Sequence, residues 1–302
     1  MSRSAATEAG ARLRVLAAAA LFSTGGAAIK ASSLSGFQVA SFRSAVAALV
    51  VLAILPRSRS RWTTRTWVVG AAYAMTMALF VVANKLTTAA NSIFLQYTSP
   101  VYVMVAGPWF LHEPVRRRDV AFFLVVLGAL ALFFVDASAA TATAPRPMLG
   151  NSLALLSGVA WAATAIGLRW MARPDADGAP VETAVACGNL VAFAACLPFA
   201  LPVSGARVAD GAIMAYLGVF QIAGAYYFLS GGLRLLSALD ATLLLMLEPV
   251  LNPVWAWLLH GERPGAWSLV GGAVILAVST LRAWYDSRRP ARPLARAGMS
   301  LA

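Results

Sequence analysis

Along the chain, apolar stretches of near-constant length alternate with short polar breaks. Ten such stretches can be drawn, at 13–30, 37–55, 67–86, 91–111, 119–136, 149–171, 181–202, 210–233, 238–259 and 265–285. Each is close to the roughly 20 apolar residues that a helix needs to cross the hydrocarbon core. Spans 1, 3 and 7 hold polar residues or lack sharp ends. The connections are too short to hold a folded soluble domain. Backbone groups in lipid must be satisfied within the segment, and these runs exceed barrel-strand length, so the pattern predicts helices.

Composition agrees with lipid as the solvent. Apolar residues make up 60% of the 302 positions and charged residues only 12%, with a mean hydropathy of +0.74. A soluble domain would carry about 25% charged residues. The net charge of +12 would suit nucleic acid, but its placement argues against that. Assigned to the two sides of a ten-span chain, 18 Lys and Arg fall with the termini and 5 on the opposite side, with Arg43 inside span 2. The positive-inside rule then puts both termini in the cytoplasm of an inner-membrane, multi-pass protein. The basic charge encodes topology and contact with the lipid bilayer, and no nucleic-acid partner is expected.

Cys187 and Cys196 stand nine residues apart on one predicted helix, about 13 Å along its axis, too far to bridge. They read as free buried thiols. The first apolar stretch is too long for a signal h-region and lacks a clean cleavage site, so it reads as span 1.

An internal repeat reshapes the fold expectation. At a shift of 149 residues, Pro100 falls on Pro249, Glu113 on Glu262, Lys85 on Arg234 and Asn91 on Asp240. A shift of 139 lays Lys30 over Arg169. Matches between apolar residues are close to chance in such a chain; the proline, the glutamate and the base carry the repeat. Five spans per unit is odd, so the second unit enters the membrane from the opposite side. The expected organisation is a first five-helix repeat over 1–140, an inverted second one over 141–287, and a basic cytoplasmic tail over 288–302. Inverted repeats recur in secondary transporters, with the substrate near the midplane between the halves.

The segment SPVYVMVAGPWFLHEPVRRRDVAFFLVVLGALALF (Ser99–Phe133) and its partner EPVLNPVWAWLLHGERPGAWSLVGGAVILA (Glu248–Ala277) resemble the drug/metabolite transporter superfamily of EamA type. LFSTGGAAIK (Leu21–Lys30) is similar to the family's first span, with Phe22 where tryptophan is common and Trp161 in the equivalent place of span 6. The resemblance covers nearly the whole chain. It implies an all-α membrane protein, ten helices in two inverted five-helix repeats around a central cavity. That cavity would be lined mainly by spans 1, 3, 4, 6, 8 and 9, with 5 and 10 at the periphery. It also implies export of amino acids, aromatic ones included, or movement of other metabolites or drugs.

Glu248 is the sharpest site candidate. It lies ten residues into span 9, beside Pro249, where a carboxylate is costly and must be turned inward and paired or neutralised. It could couple protons or bind a substrate amine, or it could be a structural group on a broken helix. Pro100 and Pro249 free the carbonyls of Gln96 and Leu245 and should kink spans 4 and 9 as hinges or static bends. Arg43 could bind a substrate carboxylate, pair with an acid such as Asp136, or snorkel. Lys30 with Lys85, and Arg169 with Arg234, could form vestibules but suit span-end anchors better. Glu113 and Glu262 are expected to stabilise the N-terminus of the helix that follows each.

The candidate substrate-binding side chains are Ser23, Thr24, Tyr73, Met77, Asn84, Gln96, Tyr97, Trp161, Thr164, Gln221, Tyr226, Glu248 and Asn252, with Tyr227 beside them. Any one of them could instead be bundle packing. Trp62, Trp67, Trp255 and Trp257 read as interfacial or lipid-facing anchors, and Gly218, Gly224, Gly231 and Gly232 as a surface for close helix contact.

Catalysis finds no support in the sequence. It lacks paired aspartate clusters for a Mg²⁺-diphosphate and lacks HExxH ligands, and its only histidines, His112 and His260, are expected at opposite faces. No cofactor, no metal and no enzyme activity is expected; the partner is a small-molecule substrate, and nothing sets an oligomeric state. A channel or a non-transporting assembly subunit is the alternative of another class, but nothing resembles a selectivity filter.

Overall fold

The computed structural model describes residues 3–110, 117–135, 141–171, 178–233, 244–245 and 247–287, and among these every regular element is helical. Helices α1 (Arg3–Ser23) and α2 (Gly25–Ala31) run on through Thr24 as a single apolar span. They are followed by α3 (Gly36–Ile54), α4 (Thr64–Leu86), α5 (Ala89–Gln96), α6 (Ser99–Phe110), α7 (Arg117–Val135), α8 (Pro147–Met171) and α9 (Val181–Ala200). Then come α10 (Val208–Tyr216), a π-helical stretch (Leu217–Gly224), α11 (Ala225–Leu233), α12 (Leu247–His260) and α13 (Ala266–Ser287).

Six of the described helices are long and apolar enough to cross a membrane: Glu8–Ala31, Gly36–Ile54, Thr64–Leu86, Pro147–Met171, Val181–Ala200 and Val208–Gly232. The α5–α6 pair, α7, α12 and α13 are apolar too, but shorter or broken. Large apolar side chains cover the outside, Leu49 at 68% and Trp109 at 72% exposure among them, as a bilayer-solvated protein requires. The protein is therefore a multi-pass α-helical membrane protein.

Polar residues start the helices. Ser35 and Gln38 form a reciprocal capping box on α3, and Thr63 and Thr66 do the same on α4. Thr88 caps α5 by accepting from the Asn91 backbone N–H. Inside the bundle, small residues bring backbones together. α4 lies along α8 and α9, α3 along α9, α1 along α11, and α7 against α13. A methyl at Gly218 would stand 2.5 Å from Val46 Cβ, and at Gly232 2.5 Å from Val15 Cγ2, so the glycines after Val208 seat this span on α3 and α1.

One tight approach is at α4–α9. A Cβ on Gly188 would run into the Tyr73 ring and stand 2.9 Å from the Gly70 carbonyl oxygen. The ring could turn aside, but the carbonyl cannot. Gly188→Ala is expected to cost about 1–3 kcal/mol through overpacking, read as a lower melting temperature in detergent. An unchanged melting temperature would mean that the two helices separate freely.

Candidate functional site

One helix break, a proline-bearing helix and a π-helical segment line a common cavity. Span 4 stops as α5 at Gln96, turns through Tyr97 and Thr98, and resumes as α6 at Ser99. Pro100 cannot donate to the Gln96 carbonyl, and Gly158 of α8 fits against the gap: its missing methyl would lie 3.1 Å from the carbonyl oxygens of both Leu95 and Gln96. In the other half, Pro249 leaves the Leu245 carbonyl without its helical donor. Tyr97 Oη, at 3.3 Å, approaches that oxygen and lies 2.9 Å from Glu248 Oε2. The broken span of one half thus donates to the proline-bearing span of the other. Between Leu217 and Gly224 the backbone winds as a π-helix, a geometry frequent at functional sites, and this turn carries Gln221.

These elements enclose a cavity of about 290 Å³. Its wall holds Phe22, Tyr73, Thr76, Met77, Phe80, Gln96, Tyr97, Ser99, Pro100, Trp161, Gln221, Ile222, Tyr226, Leu229, Leu245, Glu248 and Arg43. Aromatic faces dominate: Phe22 meets Tyr226 edge-on at 5.3 Å between ring centroids, and Tyr226 lies 6.0 Å from Tyr73. Few polar groups interrupt this wall, and two of them are tethered to neighbours. Gln96 Nε2 donates to Ser157 Oγ at 3.4 Å, and Gln221 Nε2 to the Phe22 carbonyl at 3.4 Å. A mostly apolar wall with a few placed polar groups is the composition of a small-molecule site.

The structure brings together on this wall Tyr73, Met77, Gln96, Tyr97, Trp161, Gln221, Tyr226 and Glu248, with Pro100. The other named candidates lie off it. Ser23 Oγ accepts from Trp255 Nε1 at 3.0 Å, and Thr24 Oγ1 is 2.9 Å from Tyr216 Oη. Thr164 Oγ1 donates to the Ala160 carbonyl at 2.9 Å. Asn84 and Asn252 are buried away from the cavity, Asn252 against Gly26, and Pro249 is buried in α12. Tyr227 faces outward. Thr76, Phe80, Ser99, Ile222 and Leu229 join the wall without any mark in the sequence, since mid-span residues of this kind look alike whether they face lipid, core or cavity. Arg43 lines the cavity, and Asp136, a suggested partner, lies outside the described residues, as do His112, Glu113 and Arg234. Trp255 departs from its expected anchoring role by turning into the bundle, whereas Trp67 and Trp257 are outward-facing.

At one end of the bundle the polar groups form a cross-linked layer. Lys30 Nζ donates to the carbonyls of Thr87 (2.8 Å) and Thr143 (2.6 Å) and lies 3.2 Å from Glu262 Oε2. The side chains of Lys30 and Glu262 are 5% and 1% exposed. Glu262 Oε1 accepts from the Ala89 N–H at 2.5 Å. It therefore caps α5 of the other half, not the helix that follows it. Lys85 Nζ donates to the Ser32 carbonyl at 2.6 Å, while Asp210 accepts from the Ser32 hydroxyl and the Ser33 N–H. His260 Nε2 sits 2.8 Å from the Ala27 carbonyl. Lys30 and Lys85 thus both make cross-helix bonds. A second, wider cleft of about 690 Å³ between α4, α6 and α8 is nearly all apolar and ends on outward-facing Val68, Trp109 and Phe110, as a lipid-facing groove does.

Comparison with known proteins agrees with this architecture. None of the curated proteins matches the chain significantly. A solved crystal structure of a protein resembles it with a TM-score of 0.60 at 20% identity, covering 92% of this chain and 99% of its own, which shows a shared fold. Residues 11–135 and again 148–282 match the EamA-like transporter family, one match for each half. The chain belongs to the EamA-like transporter family, membrane transporters of small molecules.

Proposed function

We propose that this protein is a secondary transporter of the inner membrane that exports small amphipathic metabolites, amino acids with aromatic ones included, by alternating access. One observation carries the reading: the cavity is shared by both halves, and the carboxylate on its wall, Glu248, is held by Tyr97 of the opposite half. A carboxylate at that depth is expensive, and in membranes such groups mark substrate or ion pathways.

Ten spans arise when α5–α6, α7, α12 with 244–245, and α13 are added to the six long ones. Packing supports an inverted relation between the halves. α4 lies along α8 while its counterpart, α10 to α11, lies along α1; α5 touches α8 while α12 touches α2; and α7 meets α13. The arginine-rich ends then face the cytoplasm, both termini with them, and the Lys30–Glu262 layer closes the outer side. A cavity between the halves, with a break at Pro100 and a mid-span proline, Pro249, suits a carrier whose halves rock around a central site.

Purified protein in liposomes loaded with unlabelled amino acids tests this. Saturable counterflow of labelled phenylalanine or leucine is expected, with no sustained conductance in a bilayer recording. Conductance without counterflow would make the protein a channel. Counterflow absent for every amino acid would remove the proposed substrate class.

A further inference from the structure

We infer that Arg43 is the anion subsite of the central cavity, binding the carboxylate of a zwitterionic substrate whose ammonium is taken by Glu248. The inference rests on the transport reading above and names what the cavity recognises. Arg43 is only 1% exposed, yet it forms part of the cavity wall, so the little surface it keeps is directed inward and not to lipid. A guanidinium is always charged and presents five donors. Its contacts here are weak: Nη2 is 3.4 Å from the Met77 carbonyl and 3.5 Å from Met77 Sδ, and Nε has no partner. Among the described residues no carboxylate comes within ion-pair distance of it.

Glu248 shares the same wall, yet it is held by Tyr97 Oη and not by Arg43. The cavity therefore holds one positive and one negative side chain that do not neutralise each other. Inside a bilayer, ionised groups left in this way are costly unless something completes them. A ligand with an anion at one end and a cation at the other completes both. The remaining wall is aromatic and apolar, Phe22, Tyr73, Trp161 and Tyr226 among it, and fits the side chain of an α-amino acid. A phosphate ester suits the pocket less well, because Glu248 would repel its second negative charge. An Arg–carboxylate contact can be bidentate, so orientation as well as charge is selected.

The test compares aromatic amines with and without a free carboxylate. Binding to the purified full chain is measured with phenylalanine, its methyl ester, and phenethylamine, in the wild type, Arg43→Gln and Arg43→Lys. The wild type is expected to prefer phenylalanine over both amines by roughly 10- to 100-fold, the worth of a charged hydrogen bond. Arg43→Gln should erase that preference, and Arg43→Lys should keep part of it, since the charge remains but the fork is lost. Equal wild-type binding of phenylalanine and its ester would overturn the assignment while leaving the transport reading intact, and needs no variant to fold. Undiminished preference in a folded Arg43→Gln protein would overturn it equally. If the wild type binds none of the three, the amino-acid reading falls and this subsite with it.

Discussion

Replacing Glu248 by glutamine is expected to lower the affinity for a zwitterionic substrate by roughly 10- to 100-fold and to remove the pH dependence of transport. The substitution is nearly isosteric, and the amide oxygen can still accept from Tyr97 Oη, so the wall should keep its shape. What disappears is the negative charge, and with it both the proposed counter-ion for a substrate ammonium and a carboxyl able to take up and release a proton. Tyr97→Phe is the milder companion. It removes the 2.9 Å hydrogen bond but leaves the charge, so roughly tenfold weaker transport is expected, with pH dependence retained. Uptake into proteoliposomes at several pH values separates the two. Unchanged rates and an unchanged pH profile in Glu248→Gln would reduce Glu248 to a structural carboxyl of α12.

The sequence carried much of this site because lipid narrows the options. An acid beside a mid-span proline has few stable placements, and Glu248 with Pro249 marked the cavity for that reason. Pro100 likewise foretold a broken span 4, which turns at Tyr97–Thr98 just ahead of it. Other features left no trace. The π-helical stretch from Leu217 to Gly224 contains no proline, and its composition matches the flanking helix. Thr76 and Phe80 line the cavity on a span whose apolar residues surround it on all sides, so no periodicity separates the cavity face from the lipid face. Proximity along the chain points Glu262 to the nearest helix N-terminus, although the one it caps begins at Ala89, far away in sequence. Such long-range pairings follow from how the halves dock, and a local pattern does not contain them.

That docking produces the second large effect. The Lys30–Glu262 contact joins the first span to the segment after α12, and Glu262 also reaches the start of α5, so three elements converge at the end assigned to the outside. Opening this end requires the pair to separate. Removing one member of a buried pair costs about 3–5 kcal/mol because the other is left uncompensated. Here that cost falls on the closed state alone, since an opened layer lets water solvate the remaining charge. Glu262→Gln or Lys30→Met should therefore shift the protein toward an outward-open form by at least ~100-fold. The double variant leaves no lone charge, and the amide oxygen of the introduced glutamine can still accept from the Ala89 N–H, so it should be less open than either single one. A cysteine in place of Ser99 on the cavity wall, with Cys187 and Cys196 changed to serine, reports the difference as its reaction rate with a membrane-impermeant thiol reagent outside right-side-out vesicles. Rates that do not rise in Glu262→Gln would show that the layer is a static seal. Single variants no more reactive than the double would show that the ion pair does not hold it shut.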